Sequence, residues 1–341
     1  MVDVPPLAWV GFFATVATIL AIDLGYFHRR AHAMTIKEAS FWAGLWISVG
    51  LAFSIAVWWL YSRTPGTLSG EAAAQLYLTG YILEESLSVD NLFVFIVIFR
   101  YFGVRGEDQH NVLFYGILGA ILMRGLFIFV GVAALHAFEA TIYVLAGLLL
   151  FTALRMTFGS DREIDPSQSR MYLLLKRIMP VTEDAHDGKF FHKVGGRRHA
   201  TTLLLCLLLI EATDVLFALD SVPAILGVTD EAFIVYTSNI FAIVGLRSLY
   251  FVVAAGIQHL KFLKPALVIL LGFIGVKMII AGPWSDWYHM PVSVSLAVVA
   301  SILLVAIAAS VAYNRWHPAP PPTAPGAEGA ANAQALDAGK P

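Results

Sequence analysis

This chain is short of cysteine, of charge and of basic excess, and each shortage removes a class of protein. One cysteine, Cys206, in 341 residues excludes an internal disulfide and any cysteine-clustered zinc site. Its neighbours are leucines, so it reads as a packing residue. Lys and Arg number 22 against 24 Asp and Glu, a formal net charge of -2, which leaves no basic surface for nucleic acid. Met1 to Pro6 holds only Asp3 as a charged residue. The first apolar run therefore lacks the basic start of a cleavable signal and is expected to stay as a helix.

Charged residues make up 13% of the chain, hydrophobic ones 58%, and the mean hydropathy is +0.74. That balance belongs to a polytopic membrane protein, not to a soluble domain. Windowed hydropathy places nine spans near 7–27, 40–61, 73–99, 111–133, 139–155, 200–226, 232–256, 264–281 and 292–313. Alternate loops carry the basic residues: Arg29, Arg30 and Lys37, then Arg100 and Arg105, then eight Lys and Arg between Arg162 and Arg198, then Lys261 and Lys264, then Arg315. The other loops hold only Arg63. By the positive-inside rule the N-terminus faces out and the C-terminus the cytoplasm. In the cytoplasmic segment 158–199, Tyr172–Ile178 is amphipathic enough to lie on a membrane surface, and His186, His192 and His199 read as solvated side chains rather than a metal sensor. The tail 317–341, rich in Pro, Ala and Gly, is expected to be disordered.

Acidic residues interrupt two spans. YILEESLSVDNLFVF carries Glu84, Glu85 and Asp90, and EATDVLFALDSVP carries Glu211, Asp214 and Asp220. An ionised carboxylate at mid-membrane costs at least ~2.5 kcal/mol on insertion scales, so each needs a cation, an arginine or a proton. The two spans also look like copies. LSVDNLFV at 87–94 matches FALDSVPA at 217–224, pairing Asp90 with Asp220 and Glu84 with Asp214. AILMRGLFIFV at 120–130 matches IVGLRSLYFVV at 243–253, pairing Arg124 with Arg247, and LLFTALRM matches LGFIGVKM, pairing Arg155 with Lys277. Three spans form one copy, so the second runs inverted through the membrane, as in many transporters. The expected fold is all-α: two N-terminal helices in 1–61, a three-helix repeat in 69–157, the cytoplasmic loop 158–199, an inverted repeat in 200–281, and a last helix in 282–316 before the tail.

On a regular helix Glu84, Ser88 and Asn91 share a face and Asp90 points elsewhere; Glu211, Asp214 and Ser221 cluster and Asp220 does not join them. Pro223 leaves the Leu219 carbonyl without a helical donor, so a break is expected at 219–222. Arg124 and Arg247 are the mid-span bases, and they are expected to pair symmetrically with acids of the two copies. The remaining acids, with Asn91 and Ser221 as neutral oxygen donors, form an oxygen-only set that suits Mg, Ca or Mn and can exchange protons. Glu85 reads as an interfacial or arginine-paired group. Asp23 stands evenly between a site role and a pair with Arg29 or Arg30.

EESLSVDNLFVF at 84–95, EATDVLFALDSVPAI at 211–225 and TSNIFAIVGLRSLYF at 237–251 resemble the TerC/Alx family of bacterial integral membrane proteins, its Alx-like branch in particular. AIDL at 21–24, AHAMT at 31–35 and GKFFHK at 188–193 fit as well. Glu85 departs from Alx-like sequences, where a basic residue can follow the glutamate. The resemblance implies a place in the lysine-exporter superfamily, a multi-pass protein of the bacterial inner membrane, and association with manganese export and tellurium resistance. It carries the acidic site onto Glu84, Asp90, Glu211, Asp214 and Asp220. The expected function is export of Mn2+, coupled to protons, with no enzymatic step and no resident cofactor. Alternatives are a membrane scaffold of a metal-stress complex docking through 158–199, and an intramembrane aspartyl protease using Asp90 and Asp220. Against the protease, neither aspartate sits in a GxGD signature.

Overall fold

The computed structural model describes residues 4–27, 35–64, 66, 68–104, 106–138, 140–158, 181–182, 188–194, 197–256, 261–281 and 290–316. Among these, nine helices follow the chain: α1 Pro6–Phe27, α2 Ile36–Arg63, α3 Gly70–Tyr101, α4 Gly106–Ala137, α5 Thr141–Phe158, α6 Thr202–Leu226, α7 Ala232–Gly256, α8 Leu263–Ala281 and α9 Val292–Trp316. Each expected span coincides with one helix. Seven of them, α2 and α4 to α9, are long and apolar enough to cross a bilayer. α3 carries Glu84, Glu85 and Asp90 and is not in that set, yet its 32 residues reach about 48 Å, more than a hydrocarbon core needs. Leu122, Phe129 and Leu216 on the outside of the bundle are more than 60% exposed, as side chains facing lipid tails should be.

Local chemistry sets several helix starts. Thr35 and Glu38 form a reciprocal capping box before α2, with Glu38 N–H donating to Thr35 Oγ1 at 3.3 Å and Thr35 N–H to Glu38 Oε2 at 3.2 Å. Ser69 caps α3 and Thr201 caps α6. Thr201 also closes a small sheet that hydropathy did not announce: β1 Val181–Thr182 runs parallel to β3 Arg197–Thr201, which pairs antiparallel with β2 Phe191–Val194. His192 stands opposite His199 in that register. His186 and Tyr172–Ile178 lie outside the described residues.

The expected break in α6 is corrected by the structure: the helix is continuous from Thr202 to Leu226 with Pro223 inside it. The reason is position. Pro223 occupies the last turn, its own carbonyl accepts the Gly227 N–H at 2.9 Å, and only one upstream carbonyl loses a donor.

Helix contacts follow the order an approximate two-fold would produce. α3 packs on α7 and α4 on α6, two contacts that exchange when the sets α3–α5 and α6–α8 are swapped, while α5 on α8, α4 on α7 and α3 on α6 map onto themselves. α2 covers α3 and α7, α9 covers α3 and α8, and α1 lies against α7. α7 is the most enclosed span, 72% of its apolar window being buried. The acid-bearing helices α3 and α6 thus meet α4 and α7 in the middle of the bundle.

Candidate functional site

Arg124 is fully buried on α4 and gathers oxygen atoms from three other helices. Its Nη1 donates to Glu84 Oε1 of α3, to Ser221 Oγ of α6 at 3.2 Å and to Asn239 Oδ1 of α7 at 3.4 Å. Its Nη2 donates to Asp214 Oδ1 of α6 at 3.2 Å, and Nε reaches Asp214 Oδ2 at 3.5 Å. Glu84 Oε1 accepts a further bond from Ser88 Oγ at 3.1 Å. Asn239 donates its amide to the Val235 carbonyl at 3.1 Å, which turns its oxygen toward the arginine. A planar guanidinium suits this arrangement because its five N–H groups lie in a fixed fork.

The two arginines therefore do not divide the acids symmetrically. Arg124 takes both Glu84 and Asp214, the matched pair of the two copies. Arg247 places Nη1 3.1 Å from His110 Nε2. Arginine can only donate, so His110 accepts through Nε2 as a neutral ring. One turn on, Tyr250 donates to Gln109 Oε1 at 3.2 Å, and Gln109 donates to the Val104 carbonyl at 3.0 Å. Polar groups thus run along the α4–α7 seam from the end that carries 101–104 and 197–201.

Between that seam and Arg124 lies a small cavity lined by Phe95, Gly116, Ala120, Asp214 and Arg247, among others, with space for about one water molecule, ≈ 10 Å³. Glu211, half-buried one turn before Asp214, is seated against α4 at Gly116 and Gly119, and a Cβ on Gly119 would overlap its carboxylate. Among the described residues Glu211 has no hydrogen-bond donor and no ion-pair partner. On the far side of Arg124 the helices also pack closely. A Cβ on Gly80 would come within 2.6 Å of Ile225 and 2.9 Å of Ser238, and one on Gly131 within 2.7 Å of Leu226.

The remaining predicted site residues are dispersed. Asp220 leaves the Arg124 cluster, as helical geometry requires, and accepts from Thr152 Oγ1 of α5 at 2.7 Å. Glu85 is neither interfacial nor arginine-paired among the described residues. It sits in the α2–α3–α7 seam beside Trp46 and Gly245 and accepts from Tyr81 Oη at 2.9 Å. Asn91 is buried, apart from the arginine's contacts. The side chains of Asp90 and Asp23 lie outside the described ones. Among the described residues no three His, Cys, Asp or Glu side chains converge as a metal-binding group. Three partners escaped sequence reasoning: Asn239, Thr152 and His110. Asn239, eight residues before Arg247 in an apolar helix, was the legible signal.

The model of the family described as "Integral membrane protein TerC family" matches residues 69–317, which contains every element of this cluster. The chain belongs to the TerC family. Its similarity to individual relatives is close to full length. It is 44% identical over 94% of its length to "Uncharacterized membrane protein STKORF319" of Myxococcus xanthus, covering 97% of that protein. It is 41% identical over 92% of its length to "Putative membrane-bound redox modulator Alx" of Escherichia coli (strain K12), covering 96% of it. An uncharacterized membrane protein of Rickettsia felis is 34% identical over 89% of this chain and 97% of its own. No solved structure matches. This TerC family member is a multi-pass integral membrane protein whose buried charge is concentrated where its two helix sets meet.

Proposed function

We propose that this TerC family member is a secondary transporter that moves Mn2+ out of the cytoplasm, with protons as the coupling ion. The observation that carries the reading is Glu211. Its carboxylate lies against Gly116 and Gly119, one helical turn from the cavity-lining Asp214, with no counter-charge among the described residues, and an intramembrane acid in that position must bind a cation or a proton. Glu85 adds a carboxylate that accepts from the Tyr81 hydroxyl, and Asp220 one that accepts from Thr152 with the Arg155 charge nearby. Glu84, Asp214, Ser221 and Asn239 supply oxygen donors only, the set preferred by Mn, Mg and Ca. The small cavity beside Asp214 makes the Arg247 side of Arg124 the looser one, where an alternating-access protein could admit a cation. With the positive-inside topology, the looser side is cytoplasmic.

The name of the Alx relative favours a second reading, a redox role. The sole thiol of this chain is Cys206, fully buried in α6 among leucines, so a thiol-based redox step would need a partner protein. Purified protein in liposomes with a Mn-responsive dye inside tests the first reading. Imposed pH gradients should drive Mn2+ movement, and Glu211→Gln should abolish it. No Mn2+ flux in either direction would remove the transport assignment.

A further inference from the structure

Resting on the transport reading, we infer that Arg124 is a tethered stand-in for the transported cation: its guanidinium occupies the cation position, and Mn2+ binds by displacing it. Four protein groups from three helices converge on this one side chain, and every contacting atom is oxygen: Glu84 Oε1, Asp214 Oδ1 and Oδ2, Ser221 Oγ and Asn239 Oδ1. Nη1 alone collects three of them. A single nitrogen surrounded by a carboxylate, a hydroxyl and an amide oxygen sits where a hard divalent ion would place its centre. Ser88 and the Val235 carbonyl hold Glu84 and Asn239 in place independently of the arginine, so the oxygens stay aimed inward after it leaves.

Charge explains why the site needs such an occupant. Two carboxylates buried at mid-membrane without a cation would carry a penalty of several kcal/mol each, so an empty carrier would otherwise have to take up protons at both. The arginine provides one positive charge, and Glu211, one turn away, provides the acid that can receive the displaced guanidinium. The route is short. The cavity lined by Gly116, Ala120 and Asp214 adjoins the site, and the missing side chains of Gly116 and Gly119 let the Glu211 carboxylate lie close against α4. Arg124 would then exchange Glu84 and Asp214 for Glu211, and the incoming Mn2+ would take the vacated oxygens.

The test compares Mn2+ binding and transport in the full-length protein. If the vacated state is populated about one part in ten or less, removing the competitor tightens apparent affinity about tenfold or more. Arg124→Gln should therefore bind MnCl2 at least about tenfold tighter by calorimetry while its liposome transport falls, because release loses its competitor. Added guanidinium chloride at low millimolar concentration should weaken Mn2+ binding to Arg124→Ala and leave wild type unaffected. The wild-type protein supplies the measurement that needs no variant to fold. Saturating Mn2+ should speed phenylglyoxal modification of Arg124, followed by peptide mass spectrometry, several-fold. Unchanged or slower modification of Arg124 in a protein that transports Mn2+ overturns the displacement and leaves transport standing. Wild type that neither binds nor moves Mn2+ overturns the transport reading itself.

Discussion

At the scale of single residues, the arginine cluster makes sharp demands. Arg124 is balanced by Glu84 and Asp214 in a buried place, so removing one acid leaves a buried charge half-answered. Asp214→Asn should lower stability by roughly 3–5 kcal/mol, and combining it with Arg124→Gln should recover part of that loss. Thermal unfolding of the purified protein in detergent checks both, and strict additivity would contradict a coupled cluster. Gly119 makes the second demand. Its missing Cβ is the space in which the Glu211 carboxylate lies, and that flexible side-chain end can swing aside, so Gly119→Ala should cost no more than about 1 kcal/mol. Shortening the partner in Gly119→Ala/Glu211→Ala should return most of that loss in the same melting experiment. Glu85 shows how residue context overrides residue type. Sequence position suggested an interfacial or arginine-paired acid, and packing put it beside Tyr81 under α2.

At the scale of elements, α6 joins most of the features that matter. Its N-cap, Thr201, accepts from Leu204 N–H at 3.4 Å and donates to the carbonyls of Lys189 and Phe190 at 2.8 and 3.1 Å, so one hydroxyl fastens the membrane helix to the three-stranded sheet. Thr201→Val should cost about 0.5–2 kcal/mol from the cap alone, read as a drop in melting temperature. At the other end, Pro223 lies in the final turn of an unbroken helix. Pro223→Ala should accordingly shift stability by no more than about 1 kcal/mol and leave Mn2+ flux near wild type. A large loss of flux would revive the broken-helix expectation. Between those ends α6 turns Asp214 toward α4 and Asp220 toward Thr152 of α5, because six residues along a helix move a side chain about 120 degrees off its starting face.

At the scale of the whole molecule, the arrangement of helix pairs and the placement of charge predict sidedness. If the basic loops are cytoplasmic, a cysteine introduced as Ser285→Cys should react with an impermeant maleimide on intact cells, and Ser160→Cys should react only after the membrane is opened. Cys206 is buried and should not interfere. The opposite labelling pattern would reverse the direction of transport proposed here. The same frame gives the two sides of Arg124 their meaning. The polar seam of Gln109, His110 and Arg247 approaches from the basic side, while Gly80 and Gly131 let neighbouring side chains close the other.

Hydropathy, charged breaks and the basic loops were enough to establish nine helices, the membrane class and the residues worth watching, because transfer free energy is a local property that each stretch of chain carries with it. Family membership was legible from the acidic motifs for the same reason. Which acid meets which base was not local. Periodicity could say that Asp214 and Asp220 face apart, but only helix packing decided that one arginine would take Glu84 and Asp214 together, that Asn239 would complete the set, and that Glu211 would be left against the glycines of α4. Those choices depend on contacts between residues 40 to 115 positions apart, set by how the helices seat against one another.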